Sequence, residues 1–238
     1  VTFSPGLEAL ARHAAERAEA AYAQLARELG SPPRDVIDVL LTGDADRANG
    51  FAMPFPSNRI VVYATPPVDD LELAYNRDWV ELVIVHELVH IFHMDRAGLI
   101  GRAVRGIFGR VPFGWPVFPV IGTPQWSIEG LATYYESRLT GLGRVHGSLH
   151  EMVLRTAVLE DRFESIDQAS GFGPQWPTGL RSYIYGSMFL EHLARRHGRE
   201  VMREIVGRTA GAVIPPTLAF DRVARKATGR SFSEEWSA

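Results

Sequence analysis

Two imidazoles four residues apart, in His86-Glu87-Leu88-Val89-His90, are the side chains of this sequence whose spacing best suits chemistry. On an α-helix, positions i and i+4 stack on one face, so both rings can reach one ion at about 2 Å from each nitrogen. Glu87 is turned about a quarter-circle away. That is too far round to be a ligand, yet close enough to hydrogen-bond a water held by the metal, as a general base does. The same five residues also suit a buried amphipathic helix, because Val83, Leu88, Val89, Ile91 and Phe92 would pack a core in any case. A third ligand has to decide between the two readings.

A structural zinc site is closed by four protein ligands, whereas a hydrolytic one keeps three and leaves a position for water. His93, Asp95 and a downstream acid are the candidates. His93 shares the helical face but reaches the ion only if the helix unwinds, and no glycine is there to allow it. It suits packing or support of a ligand. Asp95 is better placed to orient a ligand histidine or to cap the helix. Downstream, Glu129 sits in the apolar run Trp126-Ser-Ile-Glu129-Gly130-Leu-Ala132. A carboxylate buried there needs a partner. The partner is either a metal ion or an arginine, and Glu136, two turns on, is positioned to orient a histidine from behind.

The elements that must carry these residues are readable from periodicity. Residues 4–29 form an amphipathic helix with Ser4 as cap, Pro5 in its first turn and Gly30 as stop. The β-rich runs 36–41 and 59–65 are two strands of a small sheet, the second ended by Pro66-Pro67. A helix over 78–96, capped by Asn76 or Asp78 and closed by Gly98, carries the histidines. Residues 98–124 are a Gly/Pro/aromatic loop. Thr123-Pro124 then opens a helix to Gly141 that carries Glu129. The remainder is helical, over 147–161, 179–197, 199–209 and 215–228, with a terminal turn from Ser231. The fold class is α+β in a single domain, 1–238, with an N-terminal α/β sub-lobe (1–97), an insertion loop (98–124) and a helical C-terminal sub-lobe (125–238).

Bulk properties narrow the classes. With 238 residues and 46% hydrophobic content, the chain can bury a core without staples. The absence of cysteine removes disulfides, thiolate metal sites and cysteine nucleophiles, so any metal must use His, Asp or Glu. A net charge of −3, with no basic stripe, argues against nucleic acid as a partner. The longest uncharged stretch, 111–128, is broken by Pro112, Pro116, Pro119 and Pro124, which excludes a spanning helix there. The chain opens at Val1 without a signal-peptide pattern and reads as a mature or excised segment.

His86-Glu-Leu-Val-His90 followed by Trp126-x-x-Glu129-Gly130-x-Ala132-x-x-x-Glu136 resembles the gluzincins, the peptidase MA-type zinc hydrolases. The 38 residues between His90 and Glu129 form a longer interval than in the zinc aminopeptidases of that clan. Over residues 45–236 the chain is more similar to the peptidase MA-like domain found at the N-terminus of bacterial envelope proteins that continue into a β-propeller. His90-Ile-Phe-His-Met-Asp95 and Phe108-Gly-Arg-Val-Pro112 carry that likeness. The resemblance implies a zincin-like fold, with the small sheet packed on the active-site helix. It also implies one Zn²⁺ held by His86, His90 and Glu129, a metallopeptidase activity on a peptide or protein substrate, an extracytoplasmic location and a β-propeller partner in the full-length protein. It further points to Tyr183, in Ser182-Tyr183-Ile184-Tyr185-Gly186, as an oxyanion-stabilising tyrosine, with Tyr185 as the neighbour that could take its place. The acidic element that binds a free substrate amine has no match, since Asn49-Gly50-Phe51-Ala52-Met53 ends in Pro54.

In this reading Glu87 takes a proton from the zinc-bound water and returns it to the leaving amine, and the strand at 59–65 offers an edge to an extended peptide. The competing reading is a zincin-shaped binding or scaffold module with vestigial hydrolysis. The segment 102–121 motivates it: Arg102, Arg105 and Arg110 alternate with Val104, Ile107, Phe108, Phe113, Trp115 and Phe118. It can serve as a partner surface, a peripheral membrane contact or a lid, or simply pack on its own domain.

Overall fold

The computed structural model describes all residues of the chain except 69–71, 74, 75, 113, 172 and 175, together with the side chains at 217 and 219. Phe113 of the aromatic segment thus lies outside the described residues. Among those described, the protein is α+β, with four short strands and nine helices.

The first helix does not start at Ser4. Thr2–Phe3 forms strand β1 alongside Leu40 and Leu41, residues 4–7 turn the chain, and α1 spans Glu8–Leu29 with Leu7 at its N-cap. Its buried residues Ala11, Ala14, Ala21, Leu25 and Leu29 fall on one side, and Gly30 ends it at φ 63°. The sheet adds β2 (Asp38–Thr42), β3 (Gly50–Met53) and β4 (Arg59–Tyr63) in the order β1-β2-β4-β3. β2 runs parallel to β4, with Leu40 opposite Val61; β3 is antiparallel to β4, with Phe51 opposite Val61. The expected edge at 59–65 is therefore interior. The edge beside β4 is β3, which sequence reading overlooked because Gly-Phe-Ala-Met contains no β-branched residue.

Helix α2, Trp79–Met94, starts where Asp78 accepts the Glu81 N–H at 3.0 Å, and its C-cap is Asp95 rather than Gly98. Every residue of α2 except Glu81 and Met94 is buried, so it is covered on all sides. α1 packs on it through the edge of Tyr22 against Phe92, with ring centroids 5.1 Å apart. The segment expected to be a loop contains α3, Leu99–Phe108, with Gly98 as its N-cap, and a 3₁₀ turn at Pro119–Gly122. The glycines at 101 and 106 weaken helix propensity, but tertiary anchors override them: Arg105 donates to the Asp95 side chain at 2.8 Å and to the Val117 carbonyl. Among the described residues no helix is long and apolar enough to cross a membrane.

Helix α4, Gln125–Thr140, ends on Gly141 in the left-handed region. Pro124 occupies its N-cap position, and the Thr123 hydroxyl donates back to Val120 instead of capping the helix. The C-terminal half continues with α5 (Ser148–Leu159), α6 (Arg181–His197), α7 (Glu200–Ala210), α8 (Pro216–Thr228) and α9 (Phe232–Trp236), the last opened by a capping box of Ser231 and Glu234. Trp126 packs against Phe189, Phe220 and Phe232 to join α4, α6, α8 and α9.

α4 and α6 meet backbone to backbone. A Cβ on Gly130 would stand 2.5 Å from the Gly186 carbonyl carbon, and one on Gly186 would stand 2.2 Å from the Trp126 oxygen. Gly130→Ala is expected to cost about 1–3 kcal/mol by overpacking, read as a lower denaturant midpoint at unchanged slope. A wild-type midpoint would contradict this crossing.

Candidate metal centre

α2 and α4 cross so that His86, His90 and Glu129 converge. Glu129 Oε2 lies 3.4 Å from His86 Nε2 and 3.3 Å from His90 Nε2. One ligand atom from each of the three residues lies within 4.8 Å of the others. Ligand atoms about 2.0–2.1 Å from a tetrahedral ion stand about 3.3 Å apart, so the Glu129 separations suit such an ion. The alternative partner for Glu129, an arginine, is not found among the described residues; two imidazoles face the carboxylate instead.

Polar atoms left over at this point test the fit. Glu129 Oε2, His90 Nδ1 and Glu87 Oε2 are buried without a hydrogen-bond partner, a costly state for groups of this kind. A divalent ion would satisfy Glu129 Oε2 directly. Two imidazoles and one carboxylate, with no thiolate, form a donor set that suits a divalent ion such as zinc.

Glu136 performs the orienting role expected of it. His86 Nδ1 donates to Glu136 Oε2 at 2.7 Å, which leaves Nε2 turned toward Glu129. Sequence reading missed Arg144, which folds back eight residues to donate to Glu136 Oε1 at 2.7 Å and Oε2 at 2.8 Å. Its guanidinium carbon also lies 4.8 Å from the centre of the Tyr183 ring, and Glu72 and His150 extend the ion-pair chain behind it. Arg144 thus fixes both the carboxylate that orients His86 and the face of the tyrosine. Arg144→Met is expected to weaken zinc binding about 10–100-fold, the usual cost of losing an outer support, with partial rescue in Arg144→Lys. Competition titration with a chromophoric chelator reads this, and wild-type affinity in Arg144→Met would contradict it.

The electrostatics follow from the same contacts. Burial alone would lower the His86 pKa, but the carboxylates of Glu129 and Glu136 beside the ring outweigh it and raise it to about 9. Burial opposes ionisation of Glu129, and the neighbouring His90 and His86 overcome it, holding this carboxyl well below its ordinary range. Glu136 is brought down to about 2, with Arg144 overcoming its burial. Burial pushes Glu87 up against the pull of His90 and His86, as suits a group that both takes and gives a proton.

In the metal-free protein His86 therefore stays protonated through neutrality. A metal ion bound at His86 would have to displace that proton, so affinity for it is expected to rise with pH up to about 9 and to level off above it. The sign for metal-free stability is opposite: the raised pKa contributes stability that is complete below 6.5 and lost as pH passes about 9. Chelator competition across this window checks the first statement, and a flat affinity would contradict it.

The remaining candidates separate cleanly. Tyr183 stacks on His86, with centroids 6.2 Å apart and planes 22° apart, and burial followed by Glu129 raises its hydroxyl pKa. Tyr185 instead packs between Phe163 and Trp236 in the core, so it cannot replace Tyr183. His93 is buried and takes no part in the triad; burial, then His90 and Arg96, lower it to about 3. Asp95 orients no ligand histidine. It accepts from Asn58, Arg105 and Arg110 and ties α2 to the sheet and to α3. Gly50, in β3, brings the edge strand against α2: a Cβ there would lie 2.4 Å from Val83 Cγ2 and 3.1 Å from Glu87 Oε1.

No family model matches the chain, and no solved structure matches it. It is 27% identical over 191 residues to an uncharacterized protein of Treponema pallidum (strain Nichols), an alignment covering 80% of this chain and 16% of that protein. The chain spans about one sixth of the length of that relative.

Proposed function

We propose that this chain is a zinc-dependent metallohydrolase of the gluzincin type, built on a zincin-like fold as one domain, that cleaves peptide bonds. The observation that carries the reading is the approach of Glu129 Oε2 to 3.3–3.4 Å from both Nε2 atoms of a one-turn histidine pair, with the unpartnered Glu87 carboxylate beside them. His86, His90 and Glu129 would hold the ion. When bound, zinc supplies a Lewis acid and an acidified water.

The chain's own residues supply the rest. Glu87, its pKa raised by burial, accepts a proton at Oε2 and delivers it to the departing amine. The Tyr183 hydroxyl, protonated at all working pH values, donates toward the developing oxyanion. Glu136 and Arg144 keep the His86 ring in one orientation. β3 is one of the two edge strands of the sheet and the one that runs past Glu87, so an extended peptide can add to it as a further strand, with Phe51 and Met53 exposed. An envelope location, with a β-propeller following in a longer polypeptide, belongs to the same proposal and rests on the resemblance described above.

The test is zinc content together with turnover of an unbiased peptide library by the purified chain. Stoichiometric zinc with cleavage supports the enzyme. Failure to take up metal from zinc-containing buffer rejects it in favour of a zincin-shaped binding module, a reading that the exposed apolar face of α3 favours.

A further inference from the structure

Helix α3 is mounted with its apolar side outward. At 100° per residue, Leu99, Ala103, Ile107, Ile100, Val104 and Phe108 occupy one half of its circumference, and Gly101, Arg105, Arg102 and Gly106 the other. A helix on a globular protein ordinarily turns its apolar half to the core. Here the only buried residue is Gly101, while Leu99 is 80% exposed, Ile107 76% and Phe108 68%. The polar half does the anchoring: Arg102 donates to the Ala97 carbonyl, and Arg105 to Asp95 and Val117. Val213, 69% exposed, lines the same depression of about 1160 Å³ as Leu99 and Ile100, so the apolar surface continues past the helix.

Positive charge predominates around this surface. No Asp or Glu occurs from Arg96 to Ile128 or from Ile205 to Phe220, although the whole chain carries a net charge of −3. The two carboxylates that line the depression, Asp35 and Asp95, are ion-paired with Arg110 and Arg105. Arg34, Arg96 and Arg102 line it too, and none has a carboxylate partner among the described residues. The local field is therefore positive.

We infer that α3 and the adjoining turn at Val213 dock the protein on an anionic lipid bilayer, with Leu99, Ile107 and Phe108 entering the headgroup boundary and Arg102 and Arg34 meeting lipid phosphates. A helix with bulky apolar residues outward and cations at its flank is what an interfacial contact with an anionic bilayer requires. The inference does not depend on the metal centre.

The test is co-sedimentation of the full chain with vesicles of phosphatidylcholine alone or mixed with phosphatidylglycerol, at low and high salt. Binding to the anionic vesicles only, weakened by salt and reduced about tenfold or more by Ile107→Glu with Phe108→Glu, supports the proposal. Arg102→Glu should weaken it as well. Because Ile107 and Phe108 are exposed, the double variant is expected to melt as the parent does, which circular dichroism checks. Equal binding to neutral vesicles, no vesicle binding, or binding indifferent to the double substitution would overturn it. So would sedimentation equilibrium showing a dimer that the double variant dissociates, which would make the surface a contact between copies of this chain.

Discussion

Glu87→Gln is expected to retain a full complement of zinc and to lose peptide hydrolysis by a factor on the order of 10²–10⁴, the range that a positioned general acid–base supplies. The amide keeps the shape and the burial of the carboxylate but cannot accept the proton. Glu87 stands outside the triad of converging ligand atoms, so its replacement leaves His86, His90 and Glu129 where they are. Its raised pKa comes chiefly from burial in α2, which the substitution does not alter. Single-turnover hydrolysis measured alongside metal content separates the two effects. A variant as active as the parent would remove Glu87 from the mechanism, and one that lost its zinc would make Glu87 a ligand.

Glu129→Ala should weaken zinc binding by more than the roughly 100-fold that loss of an outer support can cost. The residue is the sole contribution of α4 to the triad, and its Oε2 faces both imidazoles. Without it a two-histidine clamp remains, short of the three protein ligands that a hydrolytic zinc site requires. Its loss also removes one of the two carboxylates that raise His86, so in the metal-free variant this imidazole should titrate below about 9. NMR titration of the His86 ring reports that shift independently of metal. Zinc affinity unchanged in Glu129→Ala would mean that the convergence of α2 and α4 has no part in holding an ion.

What could be read without coordinates was the part of the site that one helix determines. The spacing of His86 and His90 fixes their common face, and Glu129 betrays itself as an acid within an apolar run, so both were accessible from periodicity alone. Glu136 followed from being two turns beyond Glu129. Arg144 was not accessible, because it reaches Glu136 only after the chain turns back at Gly141–Gly143. β3 was hidden for a related reason: Gly50 has no side chain because Val83 and Glu87 of α2 press on it, not because glycine favours strands. The strongest β-forming run, Ile60–Tyr63, is for that same preference the one the fold places in the middle of the sheet. α3 was read as a loop because its glycines and outward apolar residues contradict the usual pattern of a packed helix, and its anchors lie in distant segments.

The account depends on an ion shared by α2 and α4, and element analysis of freshly purified protein addresses this directly. Wild type purified in zinc-containing buffer should carry stoichiometric zinc after exhaustive dialysis, and Glu129→Ala prepared in parallel should carry far less. A metal-free wild type, or equal zinc in the two proteins, would contradict it.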